Sequence, residues 1–478
     1  MAVFETRVQE LKYNVLKNVI QFIDNNKRNP NFEEIYNLSN KIIPGPKATF
    51  RCCIYKERAI VQERIKYILN SSSSEDTNVI KVIGIACDEC PVGGYTVTDQ
   101  CRGCIAHKCS QACPKKCISF KDGLKATIDK SQCVNCGMCA KACPYSAIEN
   151  RIRPCERACK QKAITPNTGE TNEAVINDAK CIHCGACVYT CPFGAIVDIS
   201  YIKEILKMLD EVKENGTKVY AVVAPSIGGN FVNFKTGQVI SAIKKLGFFD
   251  VYEAALGADM VALEESGELE ERGKLFSSCC PAYTLYIRKF MPELAQYISD
   301  SPSPMTMIGK FIKEKDPNSK VVFIGPCTAK KSEIKHARVK GIVDSAMTFE
   351  ELQAFIDARE IDVASLEEAD YKKGSSFGRG FAQCGGLSSA VKEALKEKGS
   401  TFEVKGTNVD GMENIRTTLL KIKNGSLDVN FLEGMACEGG CIGGPCNLQH
   451  NIKSKLAVSQ FSKQGDSSIK GNVDNVKE

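Results

Sequence analysis

The sequence predicts an α/β fold of sheets flanked by helices over its C-terminal half. An α+β region dense in cysteine precedes it, and a small helical region comes first. Three observations carry this expectation. Residues 200–450 alternate apolar runs with helix-period patterns, as α/β chains do. Residues 87–191 hold 17 of the 26 cysteines, in segments that repeat. Residues 1–80 hold only Cys52 and Cys53 and show helical periodicity. With 478 residues, 43% hydrophobic and 25% charged content, the chain can build about three domains, and disordered, collagen-like and coiled-coil classes are excluded.

At the N-terminus Val8, Leu11, Val15, Val19 and Phe22 recur at steps of 3 and 4, one face of a helix. A second helix is expected over 31–43 with Asn31 as its N-cap, and a third over 54–69. Residues 71–74, all serine, read as a linker. Expected domains are 1–80 (helical), 81–200 (cysteine-rich), 201–450 (α/β) and 451–478, a polar tail expected to fray. In the α/β region strands are expected at 219–224, 274–276, 321–324 and 429–432. Helices are expected at 202–214, 239–246, 349–358, 388–396 and 412–422.

Cysteine usage sets the chemistry. The N-terminus shows no apolar signal segment and the chain has no run of 18 apolar residues, so neither export nor a membrane span is expected. A cytoplasmic location follows as an expectation, with thiols kept reduced. The net charge of +6 is too mild at this length to suggest nucleic acid. Reduced thiols beside only 4 His argue for iron–sulfur ligation over mixed Cys/His zinc.

The spacing supports this. Cys133-x2-Cys136-x2-Cys139-x3-Cys143-Pro is the bacterial ferredoxin run, and Cys181, Cys184, Cys187 and Cys191-Pro repeat it. Cys101, Cys104, Cys109 and Cys113-Pro form a looser version. Four segments end alike, at Cys113-PKKCI, Cys143-PYSAI, Cys159-KQKAI and Cys191-PFGAI, each an iron–sulfur half-module. The fourth cysteine of such a run usually serves the neighbouring cluster. The expected pairing is Cys101, Cys104 and Cys109 with Cys143, and Cys133, Cys136 and Cys139 with Cys113. Cys181, Cys184 and Cys187 then need a fourth ligand, for which Cys159 is the candidate. Cys87, Cys90, Cys155 and Cys191 are left over, enough for one more cluster, though a pair of free or zinc-binding thiols is an open reading of Cys87 and Cys90. Two to four accessory clusters are therefore expected, a wire for single electrons.

Further cysteine motifs follow in the α/β region. SSCCP, GPCTAKK and EGMACEGGC each follow the end of an apolar strand, where α/β sheets bind ligands. Loops converging there could gather Cys280, Cys327, Cys437 and Cys441 around one cubane.

SSCCPAY at 277–283, GPCTAKK at 325–331 and EGMACEGGC at 433–441 resemble the three signatures of the iron-only (FeFe) hydrogenases. With the ferredoxin-like part, the resemblance covers roughly residues 87–450. RCCIYKERAI and GGPCN look like the group B branch of that family. The resemblance implies two sheets flanked by helices with the active site between them. It also implies an H-cluster, a 4Fe-4S cubane joined to a di-iron unit carrying CO, cyanide and a dithiolate amine, which interconverts 2H⁺ + 2e⁻ and H2. By motif position Cys280, Cys327, Cys437 and Cys441 hold the cubane, with Cys441 as the bridge, and Cys279 is the proton-relay thiol. Glu265, Glu268, Ser299 and Arg272 match the family's proton path. Lys330, Pro225, Ser226, Phe381 and Met435 match residues around the di-iron unit.

Partners implied are a soluble ferredoxin or flavodoxin, hydrogenase maturation proteins, and H2 with protons. Departures from the family pattern are Gly325 where a Met is usual, Cys384 where a Thr is common, and Gly443-Gly444-Pro445-Cys446 at the end of the third motif. Rival readings are a non-catalytic relative in cluster assembly, an H2 sensor, or an electron carrier. The presence of Cys279 favours catalysis.

Overall fold

The computed structural model describes residues 4–69, 78–91, 93–121, 125–167 and 172–477. The serine linker expected at 71–74 lies outside the described residues. The N-terminal helices span Arg7–Asn26, Phe32–Ile42 and Ile54–Leu69. Asn31 caps the second in a reciprocal box with Glu34. The first buries the face that its periodicity marks, including Val15, Leu16, Val19 and Ile20. It lies along the helix Phe349–Ala358, where Tyr13 donates to Asp357 at 2.6 Å. One apolar core thus runs from these helices into the α/β region.

The cysteine-rich region is built of two-stranded antiparallel ribbons. Gly94–Val97 pairs with Ile148–Arg151, Ile118–Lys121 with Lys125–Ile128, Ile164–Pro166 with Ala174–Ile176, and Ile80–Val82 with Ile196–Asp198. The sequence repeat is also a backbone repeat. The residue three past each of Cys113, Cys143, Cys159 and Cys191 is left-handed: Lys116, Ser146, Lys162 and Gly194, with φ of 50°, 50°, 51° and 57°. The Cys159 segment lacks the proline of the others yet keeps their turn.

The α/β region holds two parallel sheets. One has the order Asp250–Glu253, Val219–Val223, Lys320–Gly325, Ser345–Thr348. The other has the order Leu275–Phe276, Phe431–Met435, Gly406–Asp410. The inner strands Val219–Val223 and Phe431–Met435 are buried at every position, as parallel strands covered on both faces must be. Helices pack around both sheets, the longest in this region being Ala254–Arg272.

The polar tail departs from expectation. It forms two helices, Ile452–Ser462 and Ile469–Lys477, instead of fraying. Its apolar residues Val458, Phe461, Ile469 and Val473 are buried, while Ile452 and Leu456 stay exposed. Asn472 donates to Asp259 at 2.9 Å, and the Arg379 guanidinium stands 4.1 Å from the Phe461 ring. Mean polarity hid an apolar stripe wide enough to dock. Among the described residues no helix is long and apolar enough to cross a membrane.

Candidate metal centre

Four strand ends feed one cavity of about 90 Å³. Strand Val219–Val223 runs into Ala224 and Pro225, and Lys320–Gly325 into Pro326 and Cys327. Strand Leu275–Phe276 leads to Cys279 and Cys280, and Phe431–Met435 to Cys437 and Cys441. All five of these cysteines line the cavity, with Lys330, Phe381 and Met435. Among the wall residues that sequence reasoning missed are Met305, Phe323 and Ala258. Phe323 explains one departure from the family pattern. A Cβ at Gly325 would lie 2.7 Å from the Phe323 ring, so the phenyl group occupies the space a side chain at 325 would need.

The thiols sense one another. Burial, followed by Cys280 and Cys441, pushes Cys327 up to about 12. Burial, then Cys280, pushes Cys441 up to about 11. Cys437 is pushed well above the ordinary thiol value by burial, then by Cys327, Cys280 and Cys184. Thiols this reluctant to ionise need a strong cationic centre to hold them as thiolates. Among the described residues no three Cys, His, Asp or Glu groups converge tightly enough for a single metal ion. A donor set of four thiols spread around one cavity fits the larger cubane. Gly440, at φ 91°, lets the third motif close in: a Cβ there would meet the Ala382 carbonyl and Met435 Sδ, both at 2.8 Å.

Lys330 Nζ lies 3.4 Å from the Cys279 carbonyl and 2.7 Å from Glu333. Its burial would lower its pKa, but Glu333 and nearby thiols hold it above the ordinary lysine value, so it stays charged. Glu333, three residues on in the same helix, was legible as an i,i+3 pair but was not singled out. Ser226 is fully buried beside the cavity but does not line it, and among the described residues its hydroxyl has no hydrogen-bond partner. Cys384 sits at the edge, where burial, Glu433 and Asp410 push it up to about 12. Cys446 is fully buried away from the cavity, in the field of Asp198 and Lys12.

A chain of polar groups leads outward from Cys279. Burial pushes the Cys279 thiol far up, helped by Cys280 and Glu265. Glu265 accepts from the backbone N–H and hydroxyl of Ser278, both at 3.0 Å. Burial pushes its carboxyl up to about 7 against these bonds. Ser299 donates to Glu268 at 2.6 Å, and Arg272 pairs with Glu268. Side-chain exposure of Glu268 and Arg272 is 15% and 29%, against 0% for Glu265, so the series runs from core to solvent. Ser278 is the member the sequence reading left out, although it lies inside the first motif.

The accessory cysteines fall into groups. Cys101, Cys104, Cys109 and Cys143 line one small cavity, and Cys113, Cys133, Cys136 and Cys139 another. Cys117 joins the second, its sulfur 3.5 Å from that of Cys113. Cys159, Cys181, Cys184 and Cys187 line a cavity of about 520 Å³ whose far wall includes Ala436 and Cys437. This third group therefore abuts the cavity at the strand ends.

Residues 217–445 match the family model described as the iron only hydrogenase large subunit, C-terminal domain. Residues 153–195 match a 4Fe-4S dicluster domain and 126–149 a 4Fe-4S binding domain. Iron hydrogenase 1 of Clostridium pasteurianum is 29% identical over 374 residues, which covers 66% of this chain and 64% of that protein. The chain thus spans less than two thirds of that relative. The periplasmic [Fe] hydrogenase large subunit of Nitratidesulfovibrio vulgaris is 30% identical over 376 residues, covering 66% of this chain and 85% of that one. A cytosolic Fe-S cluster assembly factor of Kluyveromyces lactis is 34% identical over 105 residues, 22% of each chain. A solved [FeFe]-hydrogenase structure captured during stepwise H-cluster assembly shares the fold, with a TM-score of 0.50 at 21% identity over 58% of this chain and 93% of that one. With the periplasmic subunit matched over most of its length, and with separate cysteine loops meeting beyond two parallel sheets, the chain belongs to the iron-only hydrogenase family.

Proposed function

We propose that this chain is an iron-only hydrogenase that interconverts 2H⁺ + 2e⁻ and H2. The observation that carries the reading is the one cavity lined by Cys279, Cys280, Cys327, Cys437 and Cys441, with the Glu265–Ser299–Glu268–Arg272 series leading to solvent. Cys280, Cys327, Cys437 and Cys441 hold the cubane of the H-cluster, and Pro225, Ser226, Lys330, Phe381 and Met435 surround its di-iron unit. When bound, that group supplies the redox chemistry of H2. The protein sets a fixed cation at Lys330 and holds an exchangeable proton on Cys279.

Electrons enter through 4Fe-4S clusters on Cys101, Cys104, Cys109 and Cys143, on Cys133, Cys136, Cys139 and Cys113, and on Cys159, Cys181, Cys184 and Cys187. The external partner is a soluble ferredoxin or flavodoxin, and maturation proteins insert the di-iron unit. The site of action is the cytoplasm, which fractionation of the native host checks.

Similarity to a cluster-assembly factor supports a second reading, a non-catalytic iron–sulfur protein. Infrared spectroscopy of the matured protein separates them. Bands of metal-bound CO and cyanide with H2 turnover are expected; 4Fe-4S signals without those bands would leave the assembly reading.

A further inference from the structure

The segment GGPCN, where the chain departs from the family pattern, ends in a buried amide. Asn447 is 1% exposed. Its Nδ2 donates to three carbonyls of the preceding cysteine loop, those of Cys441 at 3.0 Å, Ile442 at 3.1 Å and Gly444 at 3.0 Å. Its Oδ1 accepts from Asn230 Nδ2 at 2.9 Å. Asn230, 6% exposed, also donates to the Ser226 carbonyl at 2.7 Å and accepts from the Leu448 N–H at 2.7 Å. Both amide orientations are fixed by their partners. Three carbonyls face Asn447 Nδ2, where an oxygen would be repelled, and a carbonyl on one side with an N–H on the other sets Asn230. Every polar side-chain atom of the pair is bonded, which keeps two buried amides from costing stability. Aspartate at either position would lose the donors, and leucine would lose donors and acceptor alike.

The pair joins loops that reach the cavity from different strands. Ser226 and Asn230 belong to the turn after Val219–Val223, whose Pro225 lines the cavity. Cys441 lines it from the loop after Phe431–Met435. Those two strands lie in different sheets, and strands of different sheets share no ladder bonds to fix the distance between their loops. Gly439, Gly440, Gly443 and Gly444 flank Cys441, so the loop's own backbone restrains it weakly. Two further bonds hold the same segment. The Cys446 N–H donates to the Pro326 carbonyl at 3.1 Å, beside Cys327. From the first N-terminal helix, Gln9 Nε2 donates to the Asn447 and Leu448 carbonyls, both at 3.3 Å.

We propose that Asn447 is the positioning residue for the Cys441 thiolate, and that the Asn230–Asn447 pair sets the span between the Ser226 turn and the Cys441 loop where the two sheets meet. The inference rests on the hydrogenase reading, in which Cys441 bridges the two parts of the cluster and Ser226 stands beside the di-iron unit. Hydrogen bonds behind a ligand orient it and so tune the metal centre it holds. Here one amide pair restrains the bridging ligand and a neighbour of the di-iron unit together. The pair also gives the first N-terminal helix a task, since Gln9 backs the segment from the far end of the chain.

Infrared spectra and amide hydrogen exchange of the anaerobic, matured full-length protein test this. Asn447→Ala and Asn230→Ala should each move the metal-bound CO and cyanide bands from their parent positions. Each should also speed exchange across residues 441–448 by about tenfold, the scale of a lost buried hydrogen bond. Because the two amides act as one brace, the double variant should move the bands little further than either single variant. Bands at parent positions in both soluble single variants overturn the proposal however far the melting temperature falls, since a merely stabilising role would lower that temperature alone. Additive band shifts in the double variant overturn the shared brace. If Asn447→Ala fails to fold, Asn230→Ala decides, because it leaves the three bonds to the Cys441 loop in place: parent bands and parent exchange rates in that variant overturn the proposal. A parent chain without CO and cyanide bands refutes the hydrogenase reading. The brace is then read from exchange, and unchanged rates at 441–448 in both variants overturn it.

Discussion

Replacing Glu265 with Gln tests the proposed proton path, because the amide keeps an acceptor for Ser278 but cannot carry a proton. An ordinary glutamate ionises near 4.5, whereas burial moves Glu265 up to about 7. A rise of that size corresponds to about 3 kcal/mol against the buried carboxylate. The sign follows directly. Between those two values the folded chain holds a proton that the unfolded chain has released, so stability falls as pH rises through the window. Between pH 6 and pH 8 the parent should lose about 1 kcal/mol relative to Glu265→Gln, read from anaerobic denaturant melts. At neutral pH the carboxyl is about half protonated, a state suited to passing protons in either direction. Turnover in Glu265→Gln should therefore drop by about 10²- to 10⁴-fold in both H2 uptake and evolution. Infrared difference spectra should show a protonated carboxyl band that vanishes with a midpoint near 7 and is absent from the variant. Full activity in the variant, or a band that titrates like a solvated glutamate, refutes the argument.

Three further outcomes are expected. Cys279→Ala should abolish H2 turnover while leaving the infrared bands of the matured cluster, so activity that survives intact would remove the relay thiol. Gly440→Ala forces a Cβ to within 2.8 Å of the Ala382 carbonyl at a φ of 91°, and should cost about 1–3 kcal/mol or block cluster loading, measured by iron content and thermal melts. Lys331→Met strips the cation from Asp198 at 2.7 Å and Glu351 at 2.9 Å, all nearly fully buried, and should cost about 3–5 kcal/mol in denaturant midpoint, whereas a neutral result would show that Lys12 alone suffices for Asp198.

The strands legible in the sequence are those with apolar runs. Val219–Val223 and Lys320–Gly325 are the inner strands of the larger sheet and Phe431–Met435 that of the smaller, though the expected 429–432 started two residues early. In the α/β region the three missed strands, Asp250–Glu253, Ser345–Thr348 and Gly406–Asp410, are all sheet edges. Edge strands pair on one side only and tolerate polar residues, so DVYE, SAMT and GTNVD give no apolar run. Cysteine spacing shows which residues belong to a cluster loop but not where the loops meet. Met305 and Phe323 reach the cavity from elements whose place only the tertiary fold sets. Ser278 was hidden differently: its value lies in facing Glu265 from thirteen residues away, a relation that no local pattern records.

The smaller sheet ties the two approaches to the site together. Leu275–Phe276 and Phe431–Met435 pair in parallel register, with Phe276 opposite Leu432. From that register the first strand reaches Cys279 in three residues and the second reaches Cys437 in five. On the proposed reading, the first loop ends where protons arrive through Ser278 and Glu265. The second ends against the wall shared with Cys184 and its neighbours, where electrons arrive. Proton and electron entry therefore need not cross, since each is carried by its own strand end and they meet only at the cavity. A slip of one residue between the two strands would turn both loops to the opposite face. The full burial of Phe276, Phe431 and Leu432 opposes such a slip. The same packing that stabilises this three-stranded sheet thus fixes how far apart the two entrances lie.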